Sequence, residues 1–249
     1  MLSKALVIVK VGDAVAELIP DHGDYDAWIR KGFGPTRLPV RVVDPRCGEA
    51  LPALASLAGV VVTGSDAMVT DRAGWSEATA RWLADVVAHR VPVLGICYGH
   101  QLLAHALGGM VIYHPAGKEI GTVPIEQTDA AHDDPLFASL PERFPAHVVH
   151  SQTVAIPPPG AVILASNDFE PHHAFRVGPA AWGVQFHPEF NVAATRTCIA
   201  ESERSLRLSG ADPVALADAV TETPEATSLL ARFARFVDDA QTPERPSDA

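Results

Sequence analysis

Four short apolar runs punctuate the first hundred residues, at 5–9, 39–44, 59–63 and 93–96. Runs with little polar alternation are what strands look like when both faces of a sheet are covered, so these predict parallel central strands. Between them the period changes. Residues 24–33 carry Tyr25, Trp28 and Ile29 at helical spacing behind Asp24 as a cap, and Gly32 with Gly34-Pro35 ends the pattern. Residues 75–89 place Ala78, Trp82, Leu83, Val86 and Val87 on one side and Glu77, Arg81 and Asp85 on the other. That predicts an amphipathic helix closing a β-α-β crossover into the run at 93–96.

The pattern breaks most sharply at Cys97. Val93 to Ile96 is apolar, and from Tyr98 the apolar positions become Leu102, Leu103, Ala106 and Leu107, a helical face. One residue separates strand from helix, flanked by Gly95 and Gly99, and Gly108-Gly109 closes the helix. This is the layout of a nucleophile elbow with sulfur in place of a serine oxygen. A helix N-terminus favours an anionic sulfur, and the Tyr98 N–H points toward an oxyanion formed by attack on a carbonyl. Taken alone, Cys97 also reads as a small buried hydrophobe.

Beyond residue 110 the runs shorten. Residues 110–113, 121–126, 146–150 and 162–166 read as strands between Pro and Asp clusters, and 181–186 as a strand stopped by His187-Pro188-Glu189. Residues 193–208 and 224–239 read as helices. The predicted fold class is α/β: three layers, α/β/α, around a mostly parallel central sheet with additional antiparallel strands and a nucleophile elbow. With no repeat or linker, a single domain over residues 1–240 is expected, followed by a polar tail at 241–249 expected to be disordered. His172 and His173 fall in a loop at 168–175 without H-E-x-x-H or carboxylate spacing, so a solvated loop is expected there rather than a metal site.

Composition narrows the function. The net charge is −11 and no basic cluster exceeds Arg30-Lys31, so neither nucleic acid nor an anionic membrane is an expected partner. Cys47, Cys97 and Cys198 are odd in number and widely spaced, which fits a reducing, cytoplasmic setting better than a disulfide framework or thiolate zinc site. No segment approaches ~20 apolar residues, and the run at 5–9 is too short for a signal peptide. No G-x-x-x-x-G-K-[ST] phosphate loop occurs, and no cofactor or metal is expected.

Cysteine chemistry on an acyl group needs a base and a group that orients the base. Cys97, His187 and Glu189 all fall at predicted strand ends. His187 alone reads as structural and Glu189 alone as a solvated carboxylate, but their coincidence with the elbow favours a joint site. Thr63-Gly64-Ser65-Asp66 ends another strand at the carboxyl edge, where open α/β sheets place ligands, although in isolation it is an ordinary turn.

On Val93-Leu94-Gly95-Ile96-Cys97-Tyr98-Gly99-His100-Gln101 and Gly183-Val184-Gln185-Phe186-His187-Pro188-Glu189, the sequence resembles the class I, or triad, glutamine amidotransferases. It is most similar to stand-alone proteins like the glutaminase domain of GMP synthase. The resemblance runs from about Ser3 to the helix after Glu189, and no motif covers the chain beyond about Gly210. It implies that Cys97 attacks the side-chain amide of glutamine, giving a γ-glutamyl thioester and ammonia, followed by hydrolysis to glutamate. His187 would be general base and acid, and Glu189 would orient it. The oxyanion hole would combine the Tyr98 N–H with an N–H from the Gly64-Ser65 loop. Gln101 would contact substrate, and His150, Ser151 and Gln152 would hold it largely through backbone.

The family loop often reads Gly-Gly-Pro where this chain has Gly64-Ser65-Asp66, and many GMP synthases have His-Gly-Asp where it has His150-Ser151-Gln152. These departures point away from a GMP synthase subunit and toward a related branch of unknown acceptor. With no activating domain in these residues, ammonia is expected either to pass to a separate synthase subunit or not to be used. Two alternatives stay open: a γ-glutamyl peptide or amide hydrolase using the same triad, and a non-catalytic binding or regulatory module.

Overall fold

The computed structural model describes residues 4–241, so the tail expected at 241–249 lies, beyond its first residue, outside the described residues. In chain order the first half contains β1 (Ala5–Val9), α1 (Ile19–His22), α2 (Tyr25–Phe33), β2 (Val40–Val43), β3 (Leu57–Val62), α3 (Gly74–Ala88), β4 (Val93–Ile96) and α4 (Tyr98–Ala106). Then come β5 (Met110–Tyr113), β6 (Glu119–Gln127), β7 (Arg143–His150), β8 (Gln152–Ile156), β9 (Ala161–Ser166), β10 (Ala174–Val177) and β11 (Ala181–Val184). The C-terminal helices are α5 (Val192–Glu201), α6 (Glu203–Leu208), α7 (Pro213–Asp218) and α8 (Pro224–Ala240).

Nine strands form one sheet in the order β2-β1-β3-β4-β11-β10-β9-β6-β7, and β5 pairs with β8 as a separate antiparallel ribbon. The five strands from β2 to β11 are parallel to one another. From β11 through β10, β9, β6 and β7 every pairing is antiparallel. The unbroken apolar runs follow from this burial on two sides. Successive side chains of a strand point to opposite faces, so Leu6 and Ile8 join a core with Ile29, Phe33, Leu229 and Phe233 of α2 and α8. Val7 and Val9 join the other core, with Leu83, Val86, Leu102 and Leu103 of α3 and α4. Helices thus cover both faces of the parallel half, giving the three layers.

Besides the short helices α1 and α7, three local features differ from the sequence reading. The helix expected over 193–208 is two helices, because Ser202 takes a flat turn (φ −88°, ψ 0°) in a polar stretch that offers no continuous apolar face. Residues 152–156 form β8 and residues 174–177 form β10, neither of which the sequence pattern predicts. In β10 the pattern is masked by Arg176, whose guanidinium is drawn inward to the buried Asp134 at 2.7 Å.

Candidate functional site

Three neighbouring strands, β3, β4 and β11, end at the same edge of the sheet, with Val62 opposite Gly95 and Val184 opposite Ile96. The residues that follow them are Thr63-Gly64, Cys97 and Gln185-Phe186-His187. The topology therefore brings together groups that lie far apart in sequence, at the edge where open α/β sheets bind ligands.

Cys97 has φ 49° and ψ −100°, and is one of three non-glycine residues with positive φ among the described residues. Its N–H donates to Val184 O at 2.8 Å, and its carbonyl accepts the first bond of α4, from Gln101 N at 3.1 Å. The N–H groups of Tyr98, Gly99 and His100 therefore have no acceptor within the helix. Both flanking glycines are required by close backbone approach. A Cβ on Gly95 would strike the Gly99 carbonyl, and one on Gly99 would strike the Val62 carbonyl.

His187 Nδ1 lies 2.8 Å from Glu189 Oε1, and since a carboxylate only accepts, Nδ1 carries the hydrogen and Nε2 is left for Cys97. Cys97 is close enough to the imidazole to act on its electrostatics. The His187 ring stacks on Phe190 at 4.0 Å between centroids, and Tyr25 stacks on Phe190 in turn. All three candidate residues are buried. Burial alone would lower the His187 pKa, but the Glu189 carboxylate and the negative charge of a Cys97 thiolate outweigh it and push it up to about 10. The thiol's other neighbour is the Val149 carbonyl, which accepts from Sγ at 3.5 Å. Gly64 fits against this group: a Cβ there would lie 2.9 Å from His187 Cε1 and 3.8 Å from Cys97 Cβ.

A cavity of about 250 Å³ opens beside Cys97, lined among others by Ser65, Tyr98, Gln101, Lys118, Val149 and His150. Ser151 and Gln152 border it too. Gln101 donates both amide hydrogens inward, to Gln152 O and to Gln185 Oε1, each at 3.0 Å, so its carbonyl oxygen is what it can offer a ligand. The Gln152 side chain turns away, accepting from Val69 N and donating to Thr70 Oγ1. The His150 ring is engaged at both nitrogens, by Gln152 O and by Glu119 Oε2. Neither Gly64, Ser65 nor Asp66 adopts positive φ. The Gly64 carbonyl accepts from Thr63 Oγ1 and packs against Gly12, so the trans peptide aims the Ser65 N–H away from that side.

Residues 18–203 match the profile of the family described as glutamine amidotransferase class-I. The chain belongs to that family. The glutamine-hydrolyzing GMP synthase subunit of Methanopyrus kandleri is 32% identical to this amidotransferase over 173 residues, which are 69% of this chain and 87% of that protein. The glutamine-hydrolyzing GMP synthase of Aeropyrum pernix is 39% identical over 142 residues, 57% of this chain but 25% of that longer protein. A glutamine amidotransferase crystal structure from Thermotoga maritima superposes with a TM-score of 0.71, covering 96% of this chain and 99% of that one; at 23% identity it speaks for the fold alone.

Two features of this amidotransferase's site escape a reading of the sequence. Lys118 and Val149 border the cavity, but a backbone carbonyl has no sequence signature and Lys118 sits in the irregular link before β6, without periodicity. The loop at 168–175 is not solvated throughout: His173 is fully buried, because β10 begins at Ala174 and carries the preceding residue beneath β6 and β7. No helix among the described residues is long and apolar enough to cross a membrane.

Proposed function

We propose that this amidotransferase hydrolyses the side-chain amide of glutamine through a γ-glutamyl thioester on Cys97. The observation that carries the reading is the Cys97 thiol at a positive-φ elbow beside an imidazole that Glu189 fixes at 2.8 Å, with Gly64 packed against both. Cys97 gives its proton to His187 Nε2 as sulfur attacks the amide carbon, and the carbonyl oxygen becomes an oxyanion facing the Tyr98 N–H and the N–H of Ser65 in the Gly64-Ser65 loop. His187 Nε2 delivers its proton to the departing nitrogen and ammonia leaves. A water, deprotonated by the same nitrogen, then cleaves the thioester to glutamate and free thiol. Gln101 through its carbonyl, and His150, Ser151 and Gln152 through their backbone, hold the α-amino and α-carboxyl ends. The ammonia acceptor is a separate synthase polypeptide, in keeping with the subunit nature of the Methanopyrus relative.

A second reading has its own support. A cleft of about 660 Å³ adjoins the Cys97 cavity and shares Ser65, Asp66, Ala67, Lys118 and Val149 with it. A leaving amine larger than ammonia fits there, which is what a γ-glutamyl amide hydrolase requires. Steady-state turnover of glutamine and of γ-glutamyl amides by purified chain separates the two. A glutamine-derived diazo-ketone should label Cys97 alone, leaving the exposed Cys47 and the buried Cys198, whose thiol burial pushes up to about 12. Absence of labelling at Cys97 in folded protein would overturn both readings in favour of a binding module.

A further inference from the structure

Apart from Cys97 and His187, the described residues hold one other cluster of metal-ligating side chains. Glu119 at the start of β6, His150 at the end of β7 and His173 before β10 offer one ligand atom each, all within 4.8 Å of one another, and all three are buried. We propose that they bind a divalent transition-metal ion of the zinc type, which clamps the floor of the Cys97 cavity.

The hydrogen-bond chemistry points to a cation. His150 Nδ1 lies 3.0 Å from Gln152 O, and a carbonyl only accepts, so Nδ1 carries the hydrogen. In the neutral ring Nε2 is then a lone pair, yet it lies 2.8 Å from Glu119 Oε2, also an acceptor. Something positive sits between them, either a proton or a metal ion. His173 decides between the two. Its Nε2 is 3.3 Å from the same carboxylate oxygen, its ring is fully buried, and neither ring nitrogen has a hydrogen-bond partner. A proton serves the short His150 pair and leaves His173 at a long 3.3 Å approach, whereas one metal ion takes a lone pair from each of the three side chains. Two ligands on a tetrahedral ion at about 2 Å stand about 3.3 Å apart, so the His173 pair is already at that separation and the His150 pair opens by about half an ångström.

The outer partners of two of the three ligands match as well. Ligating histidines donate their second N–H to a carbonyl and ligating carboxylates are themselves hydrogen-bonded. Here His150 Nδ1 donates to Gln152 O, and Asn167 Nδ2 donates to Glu119 Oε1 at 2.8 Å. Two imidazoles and one carboxylate suit zinc, cobalt or nickel rather than calcium or magnesium. On binding, the ion replaces the proton between His150 and Glu119, which is released to solvent. His150 borders the Cys97 cavity, which gives the ion a route in.

The test is titration of metal-free protein with Co²⁺, followed by visible absorption, and with Zn²⁺ by calorimetry. It is made in the Cys97→Ala variant, so that this thiol supplies no competing ligand. One Co²⁺ per chain with the d–d bands of a tetrahedral or five-coordinate nitrogen and oxygen complex is expected, together with a rise in Tm on adding Zn²⁺. His173→Gln should weaken binding by roughly 100-fold or more, and His172→Gln, whose ring faces the Val154 carbonyl instead, should leave it unchanged. Should His173→Gln fail to fold, Asn167→Ala decides, with an expected loss of roughly 10- to 100-fold. Lack of stoichiometric binding in the Cys97→Ala protein, or binding undiminished in His173→Gln or in Asn167→Ala, would overturn the proposal.

Discussion

At Cys97 the backbone holds a conformation that costs a non-glycine residue of order 1–3 kcal/mol, and it is held from both sides by bonds to Val184 and Gln101. That geometry lifts the thiol out of the strand while keeping it against His187. In a thiol, imidazole and carboxylate acting in series, the base is costlier to lose than its orienting partner. We expect His187→Ala to lower kcat by roughly 10⁵-fold or more, and Glu189→Ala to cost about one to two orders of magnitude less. Equal losses in two folded variants would show that Glu189 does more than orient. The imidazole itself can be followed by NMR. In the folded protein His187 should titrate near pH 10, and Glu189→Gln, which removes the largest charge raising it, should move the midpoint down. Because the folded pKa exceeds the ordinary value of 6.5, the stability this group contributes is fully present below pH 6.5 and is lost as pH rises through about 10. Denaturant unfolding of wild type and Glu189→Gln should therefore differ most below pH 6.5 and converge above pH 10.

At the scale of elements, the elbow depends on two backbones passing with no side chain between them. Gly99→Ala drives a Cβ into the Val62 carbonyl and should destabilise the protein by about 1–3 kcal/mol. Gly74→Ala is the matched control. It lies exposed in the first turn of α3, with nothing near its new methyl and no positive φ, and should be neutral or stabilising by up to about 1 kcal/mol. Chemical denaturation of the two variants checks the contrast. The elbow is legible in sequence because a strand period and a helix period meet at one residue, and β1, β3 and β4 because strands buried on two faces cannot hide polar residues. β10 is not: four residues long and carrying Arg176, it looks polar until Asp134 is seen to receive the guanidinium. The break at Ser202 is hidden for the opposite reason, since Glu201-Ser202-Glu203-Arg204 is a tolerable helix surface.

At the scale of the whole molecule, the order of strands cannot be read from periodicity, and with it goes the depth of each loop. His172 and His173 look alike in sequence, yet the pairing of β10 with β11 and β9 leaves the first partly exposed and seals the second completely. The candidate nucleophile and base, by contrast, stand out from their own strand ends without any knowledge that β4 and β11 are neighbours. That adjacency has a consequence for how the protein fluctuates. The Cys97 amide is bonded to Val184 across the last rung between β4 and β11, in the middle of a nine-stranded sheet. That rung fixes the Cys97 backbone, and the His187 N–H is held in turn by the His147 carbonyl at 2.8 Å. In hydrogen-exchange measurements the Cys97 amide should therefore be among the slowest in the chain, opening only with global unfolding. Heating or denaturant should abolish diazo-ketone labelling of Cys97 in the same transition that melts the sheet, so that labelling reports on the integrity of the core around it.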